Sequence, residues 1–367
     1  MRPVPHPLSR FLVLTALLTA LPAAAGKIQI TEDAVLNVDV LLHPQMQLVK
    51  DGAPTGGVGT DFFLRRVRLL LFGSITKKLS FFIDTDQPNF GKNGDYSPAF
   101  YIQDATVAYE FADKTWVEAG FILAPLSHHA LQGAIALQTV DYHSDLIRYP
   151  LGVGKVWRDM GVQVRGFAGP WTYRAAILNG VEGAKLENGQ TVNADDLPRV
   201  VGTARYNVWG REYDQFLRGI YFTDQPMLSF GVGGDYQYNA IATASGIHSA
   251  VAMAADVFLD IPIGDNQEFV FQSNVFSWQQ GFDNVRSGTG FFVELGYRIG
   301  IVEPVFSSEY FNGRVPSTDL LTFKPGLNLW FQKHTFNLKT EVAVSRVGDI
   351  AHTTTGITGT AQLQLFY

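Results

Sequence analysis

The stretch Ile357-Thr358-Gly359-Thr360-Ala361-Gln362-Leu363-Gln364-Leu365-Phe366-Tyr367 decides the fold. Side chains alternate sides along an extended strand. Ile357, Ala361, Leu363, Leu365 and Tyr367 therefore share one face, and Thr358, Thr360, Gln362 and Gln364 the other. One side of this strand must meet an apolar medium and the other a polar one. The same pattern recurs upstream. Leu338, Val342 and Val344 oppose Asn337, Lys339 and Glu341, and Phe291, Val293, Leu295, Tyr297 and Ile299 oppose Glu294 and Arg298. Ala105, Val107, Tyr109 and Phe111 oppose Asp104, Thr106 and Glu110, and Trp171, Tyr173, Ala175 and Ile177 oppose Thr172 and Arg174. Segments of this kind, rich in aromatics at their ends and separated by Gly, Asn, Asp and Pro, read as strands held between lipid and water.

Composition agrees. Of 367 residues, 46% are hydrophobic, 13% aromatic and only 17% charged, where a soluble chain carries about a quarter charged residues. There is no Cys, which excludes a disulfide scaffold and thiolate metal sites. At the N-terminus, Arg2 and Arg10 precede the apolar run Phe11–Leu21, Pro22 and the small residues Ala23-Ala24-Ala25. This order predicts a signal peptide over residues 1–25 and a single barrel domain over 26–367, exported to the cell outer membrane. No later run is long enough for a transmembrane helix. The net charge of -6 becomes two units more negative once Arg2 and Arg10 leave, which argues against nucleic acid as a partner.

Marking every alternating segment, from near residue 34 to the quoted C-terminal strand, gives about 16 strands, the even number that bacterial single-chain barrels have. A barrel that wide leaves an aqueous channel unless something fills it. Alternation stops between Leu123 and Asp159. There Ser127–Tyr142, with Leu131, Ala134, Ile135 and Leu137, reads closer to a short helix capped by Ser127. The segment is too apolar to sit well in solvent, so it is expected to fold inward between the fifth and sixth strands. Arg211–Asp224 reads either as a loop or as part of a strand.

Several stretches, in order, resemble a known family. They are Phe63-Leu64-Arg65-Arg66-Val67-Arg68-Leu69-Leu70-Leu71-Phe72-Gly73, Leu79-Ser80-Phe81-Phe82-Ile83-Asp84, Ile102-Gln103-Asp104-Ala105, and Val117-Glu118-Ala119-Gly120 with Pro125. Arg158-Asp159-Met160-Gly161-Val162-Gln163 and Ala176-Ile177-Leu178-Asn179-Gly180 continue the series. Together they resemble the phosphate-selective porins O and P, from about Val35 to the C-terminus and most strongly up to Arg205. The resemblance implies an all-β transmembrane antiparallel barrel of 16 strands with an inward loop, assembled as a homotrimer in outer-membrane lipid. It also implies passive uptake of small anions or other small polar solutes, with no cofactor.

Strand phase nominates the groups facing the channel. Arg66 and Arg68 share one face, and Arg165, Arg174, Arg205, Arg298, Lys324 and Lys339 also point inward. The planar guanidinium fork suits oxyanions, and narrow low-dielectric walls amplify its field. The same phase sends Asp84, Asp104, Glu110, Glu118, Glu294 and Glu341 inward, so each cation has the competing role of an ion pair bracing the wall. His128-His129, with Asp141 and His143 nearby, raises a metal site, but adjacent side chains diverge on a strand or helix and make no ligand pair. Asp84-Thr85-Asp86 lacks the wider ligand set of a calcium loop. Gly231-Val232-Gly233-Gly234 runs on as strand, Gly154-Lys155 lacks the upstream glycine of a phosphate loop, and no Gly-x-Ser-x-Gly elbow occurs. No catalytic or metal-binding residue is nominated. The reading is a porin for passive diffusion of small polar solutes, with a preference for anions such as phosphate as its finer form. The alternatives are an outer-membrane barrel enzyme acting on lipids and a plugged structural or adhesive barrel.

Overall fold

The computed structural model describes residues 26–150, 157–349 and 352–367; the signal-peptide reading of residues 1–25 lies outside them. The first strand is the short β1 (Gly26–Gln29), and the first half of the barrel wall is β2 (Val35–Val49), β3 (Gly59–Ser74), β4 (Leu79–Asp86), β5 (Tyr101–Ala112), β6 (Thr115–Leu123), β7 (Arg158–Ala168) and β8 (Trp171–Leu178). A small hairpin follows, β9 (Ala184–Lys185) and β10 (Thr191–Val192). The second half is β11 (Arg199–Trp209), β12 (Met227–Thr243), β13 (Gly246–Gly264), β14 (Gln267–Gln279), β15 (Gly288–Ile299), β16 (Val302–Gly313), β17 (Leu320–Gln332), β18 (Phe336–Val347) and β19 (Thr354–Phe366). Successive wall strands pair antiparallel, β11 pairs with β8, and β19 pairs with β2 to close the sheet. The result is a closed barrel of 16 wall strands, as the alternation predicts. β1 pairs with Val35–Val38 of β2, beyond the stretch that β19 reaches.

The burial pattern follows the alternation. In β15, Phe291, Leu295 and Ile299 are exposed while Phe292 and Glu294 are buried, and in β18 Asn337 and Lys339 are buried while Val342 is exposed. Large apolar side chains are exposed on nearly every strand, among them Ile83, Val107, Val162, Ile177, Val232, Val275 and Leu327. A surface this apolar is not compatible with water around it, but it suits a hydrocarbon medium. Exposed aromatics gather near the strand ends: Tyr109, Phe111, Trp171, Tyr206, Trp209, Phe331 and Tyr367 at one rim, Phe62, Tyr236 and Tyr238 toward the other. These are the girdles expected at the two membrane interfaces.

The two rims differ. At the first, most connections are tight turns at residues 75–78, 113–114, 169–170, 265–266, 300–301 and 333–335. Several of them use one residue in the left-handed region, such as Lys114, Gly169, Asn266, Gly300 and Lys333, the backbone that short hairpins demand. The other rim carries the longer connections. One exception is large: residues 210–226, between β11 and β12, form a long connection at the tight-turn rim.

Gly120 marks where β5 and β6 approach too closely for a side chain. Its φ is +131°, and a Cβ there would run into the carbonyl oxygen of Ala105. Gly120→Ala should destabilise the folded barrel by roughly 1–3 kcal/mol, read as a lower urea midpoint. Gly264→Ala, where a Cβ meets nothing within 4 Å, should leave the midpoint unchanged.

Candidate functional site

The inner wall is polar because the lipid-facing positions of each strand have taken the apolar residues. Buried on it are His43, Gln45, Asp84, Asp104, Glu118, Gln163, Gln272, Asn274, Glu294, Glu303, Glu309, Asn328, Asn337, Lys339 and Gln362. Buried polar groups need partners, and two connections supply many of them.

The first is the connection between β6 and β7. Along one wall the His128 amide donates to Asp256 (3.0 Å), and Gln132 donates to Gln272 (2.8 Å). Gln138 donates to Glu303 (3.0 Å), and Thr139 to Glu294 (3.0 Å). In return, wall side chains donate to its carbonyls: Gln364 to Ile135 (2.9 Å), Asn328 to Gln138 (2.8 Å), Trp278 to Leu146 (2.9 Å), and Lys339 to Leu137. These partners explain a departure from the sequence reading. Instead of one short helix, the segment Ser127–Tyr142 makes two single 3-10 turns, at His129–Leu131 and Ala134–Ala136, and a third follows at Ser144–Leu146. Its backbone groups are claimed by the wall, so they cannot close a continuous helical ladder. Ser127 does cap locally, accepting from the Ala130 amide (3.2 Å).

The second is the connection 210–226, which the alternation left open. It forms no strand of its own but pairs with the first connection. Leu217 donates its amide to Leu131 (2.9 Å) and accepts from Gly133 (3.0 Å), and the Gly219 amide donates to Ala136 (2.8 Å). Glu212 bonds His128 (2.8 Å) and accepts from Tyr221 (2.7 Å); the amides of Tyr221 and Thr223 donate to Asp260 (2.8 Å) and Glu268 (3.1 Å). Leu123, Leu131 and Leu217 pack together between the two connections.

Most wall contacts of both connections fall on β13–β19, where the acids Asp256, Asp260, Glu268, Glu294, Glu303 and Glu309 stand. The opposite half, β3–β8, carries Arg65, Arg66, Arg68, Arg158, Arg165 and Arg174. The nominated cations divide accordingly. On the packed side, Arg205 pairs with Asp256 and Glu212, Arg298 with Glu268 (2.9 Å), and Lys324 with Glu309. Lys339 is fully buried and spends its donors on the Leu137 and Thr139 carbonyls. These four brace the packed half. On the opposite side, Arg66 pairs with Asp141 (2.5 Å), and Arg68 with Asp84 and Asp86 (3.0 Å each). Arg165 pairs with Glu118 (3.2 Å) and lies over the Trp116 ring (4.7 Å). Arg174 donates to the carbonyls of Gln215 (2.7 Å) and Asp214 (3.3 Å), and among the described residues no carboxylate lies within ion-pair distance of it.

Strand phase missed Arg65, which also pairs with Asp141 (2.6 Å). The β2–β3 register shifts between Leu42 and Pro44, opposite Arg65 and Arg66, and this bulge brings both guanidiniums to one carboxylate. Pro44 is the signal that was available, since proline cannot donate to a ladder and sits at bulges. Glu110, expected inward, instead accepts from the Lys114 amide (2.9 Å) at the β5–β6 turn, where the register also shifts. Arg158, bonded twice to Asp104 (3.1 and 3.0 Å), had been seen only as part of a motif. Burial alone would raise the pKa of Asp141, but Arg66 and Arg65 beside it hold the carboxyl well below its ordinary range.

His143 fastens the first connection to the packed wall. Its Nδ1 bonds Glu309 (2.5 Å) and its Nε2 bonds Glu294 (2.6 Å). Two carboxylates on the two ring nitrogens are both satisfied only by the imidazolium. Burial pushes the His143 pKa down, yet Glu309 and Glu294 outweigh it and leave the value raised. A raised folded pKa means stability fully present below about pH 6.5, the unfolded value, and lost as pH rises through the folded value. The urea midpoint of the parent should therefore exceed that of His143→Gln most at about pH 6, with the gap narrowing toward about pH 9.

The sequence of residues 51–213 matches the family described as phosphate-selective porin O and P. No curated protein sequence matches the chain. Among solved structures, the fold is similar to the outer membrane channel DcaP of Acinetobacter baumannii, at 11% identity and TM-score 0.60, covering 94% of this chain and 100% of that one. It is similar to the anion-selective porin from Comamonas acidovorans (11% identity, TM-score 0.56, 91% and 100% covered). It is also similar to OmpT of Vibrio cholerae in its trimer form (9% identity, TM-score 0.57, 92% and 100% covered). At these identities the likeness is one of fold. Residues 51–213 thus match the family model described as phosphate-selective porin O and P, and the chain as a whole folds as a closed barrel similar to those of solved porins.

Proposed function

We propose that this chain is an outer-membrane porin through which small polar solutes diffuse passively. The observation that carries the reading is the asymmetry of the inner wall. The described parts of the two connections, residues 124–150 and 210–226, are bonded mainly to β13–β19, which supports a lumen narrowed on that side, with the passage along the arginine-bearing strands β3–β8. A cavity of about 340 Å³ opens where β19 meets β2, lined by Gln45, Gln47, Arg65 and Asp141 and, from β17 and β19, by Lys324 and Thr360, so the passage extends from β3 across that seam. Residues 1–25 serve as the export signal, and the working form is a homotrimer, in keeping with the trimer form named for OmpT.

The finer reading is a modest preference for anions. Most arginines of the passage have carboxylate partners, which argues against strong selectivity. Arg174, buried and bonded to the Asp214 and Gln215 carbonyls, has no carboxylate within ion-pair distance among the described residues, so its charge adds to the field along the passage. Phosphate belongs to the class of oxyanions that such a fork recognises.

Single-channel recording in a planar bilayer with a salt gradient tests this. The refolded protein should give stepwise conductance. Asp141→Asn, which frees Arg65 and Arg66, should raise the anion-to-cation permeability ratio by about twofold, and Arg174→Gln should lower it. An inserted, folded barrel without conductance would contradict the porin and favour the plugged barrel.

A further inference from the structure

Inward positions of a membrane barrel are ordinarily polar, and one patch of this lumen breaks that rule. Leu41, Leu70, Phe72 and Phe82, on the three adjacent strands β2, β3 and β4, line a cavity of about 410 Å³. Ile135 of the first connection and Phe216 and Leu217 of the second complete its apolar lining. Phe216 reaches across to Phe82 with ring centroids 5.1 Å apart, and Phe82 in turn lies 6.2 Å from Phe72. The volume and the aromatic lining are those of a small-molecule site, set here on the wall of the proposed solute path.

The polar groups of the cavity set the class of ligand. Arg68, Arg158 and Arg218 all line it, and so do Asp84, Asp104 and Asp214. They stand as pairs: Arg68 with Asp84, Arg158 with Asp104, and Arg218 with Asp214 (2.8 Å). Each guanidinium meets a carboxylate, so the pocket offers hydrogen bonds without calling for a net charge. The Arg218–Asp214 pair is partly exposed and presents both donors and an acceptor to a visitor. Asp84 Oδ1 and Arg68 Nε, buried in the same wall, have no hydrogen-bond partner among the described residues. An anion would gain little here, because each cation is already neutralised. A ring would pack against the contacting pair Phe82 and Phe216 from the cavity side, and a hydroxyl could both donate and accept.

We infer that this pocket is a binding subsite for small uncharged aromatic solutes bearing a hydroxyl, of the phenol or aryl-alcohol class. As a stage of permeation it rests on the porin reading; as a binding site it stands apart from it. The test is saturation-transfer NMR of 4-hydroxybenzyl alcohol with the full barrel refolded in micelles, which needs no conductance. Saturable binding is expected, weakened roughly five- to tenfold in Phe216→Ala and in Phe82→Ala. Phe216 lies on a connection, so its removal leaves every wall strand intact. Inorganic phosphate should not displace the alcohol. Absence of saturable binding, equal affinity in Phe216→Ala, or displacement by phosphate would each overturn the inference. Failure of the porin reading would show separately, as binding without conductance.

Discussion

Every backbone N–H and C=O that crosses a bilayer must find its partner within the protein, because hydrocarbon offers none. A sheet meets that demand only by closing, and here the pairing of β19 with β2 is what leaves no open edge. Closure then dictates the rest. Each strand has lipid on one side and the lumen on the other, so a slip of one residue would turn every apolar side chain inward. Apolar residues go outward, and the polar ones are gathered into a narrow interior where they must satisfy one another.

The interior is therefore crowded with charges that need partners, and the way they are matched divides the lumen. The acids of β13–β19 are met by amides and side chains of the two connections and by Arg205, Arg298 and Lys324. Loss of one member of such a buried set leaves the others uncompensated, which is costly. The connections are thus held in place by the wall they neutralise. Their backbones also bond to each other, through Leu131, Gly133 and Leu217, so the two connections brace one another. The arginine-bearing half keeps the pairs of Arg68, Arg158 and Arg165, while Arg65 and Arg66 are met by Asp141 of the first connection and Arg174 by carbonyls of the second.

The barrel was legible in the sequence because a strand of period two needs no information beyond its own residues. Ile357–Tyr367 and Phe291–Ile299 could be assigned one by one. What depended on other parts of the chain was harder to see. Nothing local tells residues 210–226 that their partners lie at Leu131 and Ala136. The apolar residues of Ser127–Tyr142 suggested a helix because the wall that claims their carbonyls was not in view. The bulge at Pro44 shifted Arg65 out of its expected phase. Inward-facing Phe72 and Phe82 were hidden within apolar runs, Leu69–Phe72 and Phe81–Phe82, where alternation is lost.

The central claim is that a solute path follows the β2–β8 half, while the positions of β13–β17 bonded to the two connections are covered. The chain has no native cysteine, so accessibility of single introduced cysteines reads this directly. A charged thiol-specific methanethiosulfonate reagent should reduce the current through channels carrying Phe72→Cys or Gln47→Cys. It should leave Gln272→Cys and Asn328→Cys, which lie beneath the connections, without effect. Rapid block at Gln272→Cys and Asn328→Cys with silence at Phe72→Cys would contradict the account.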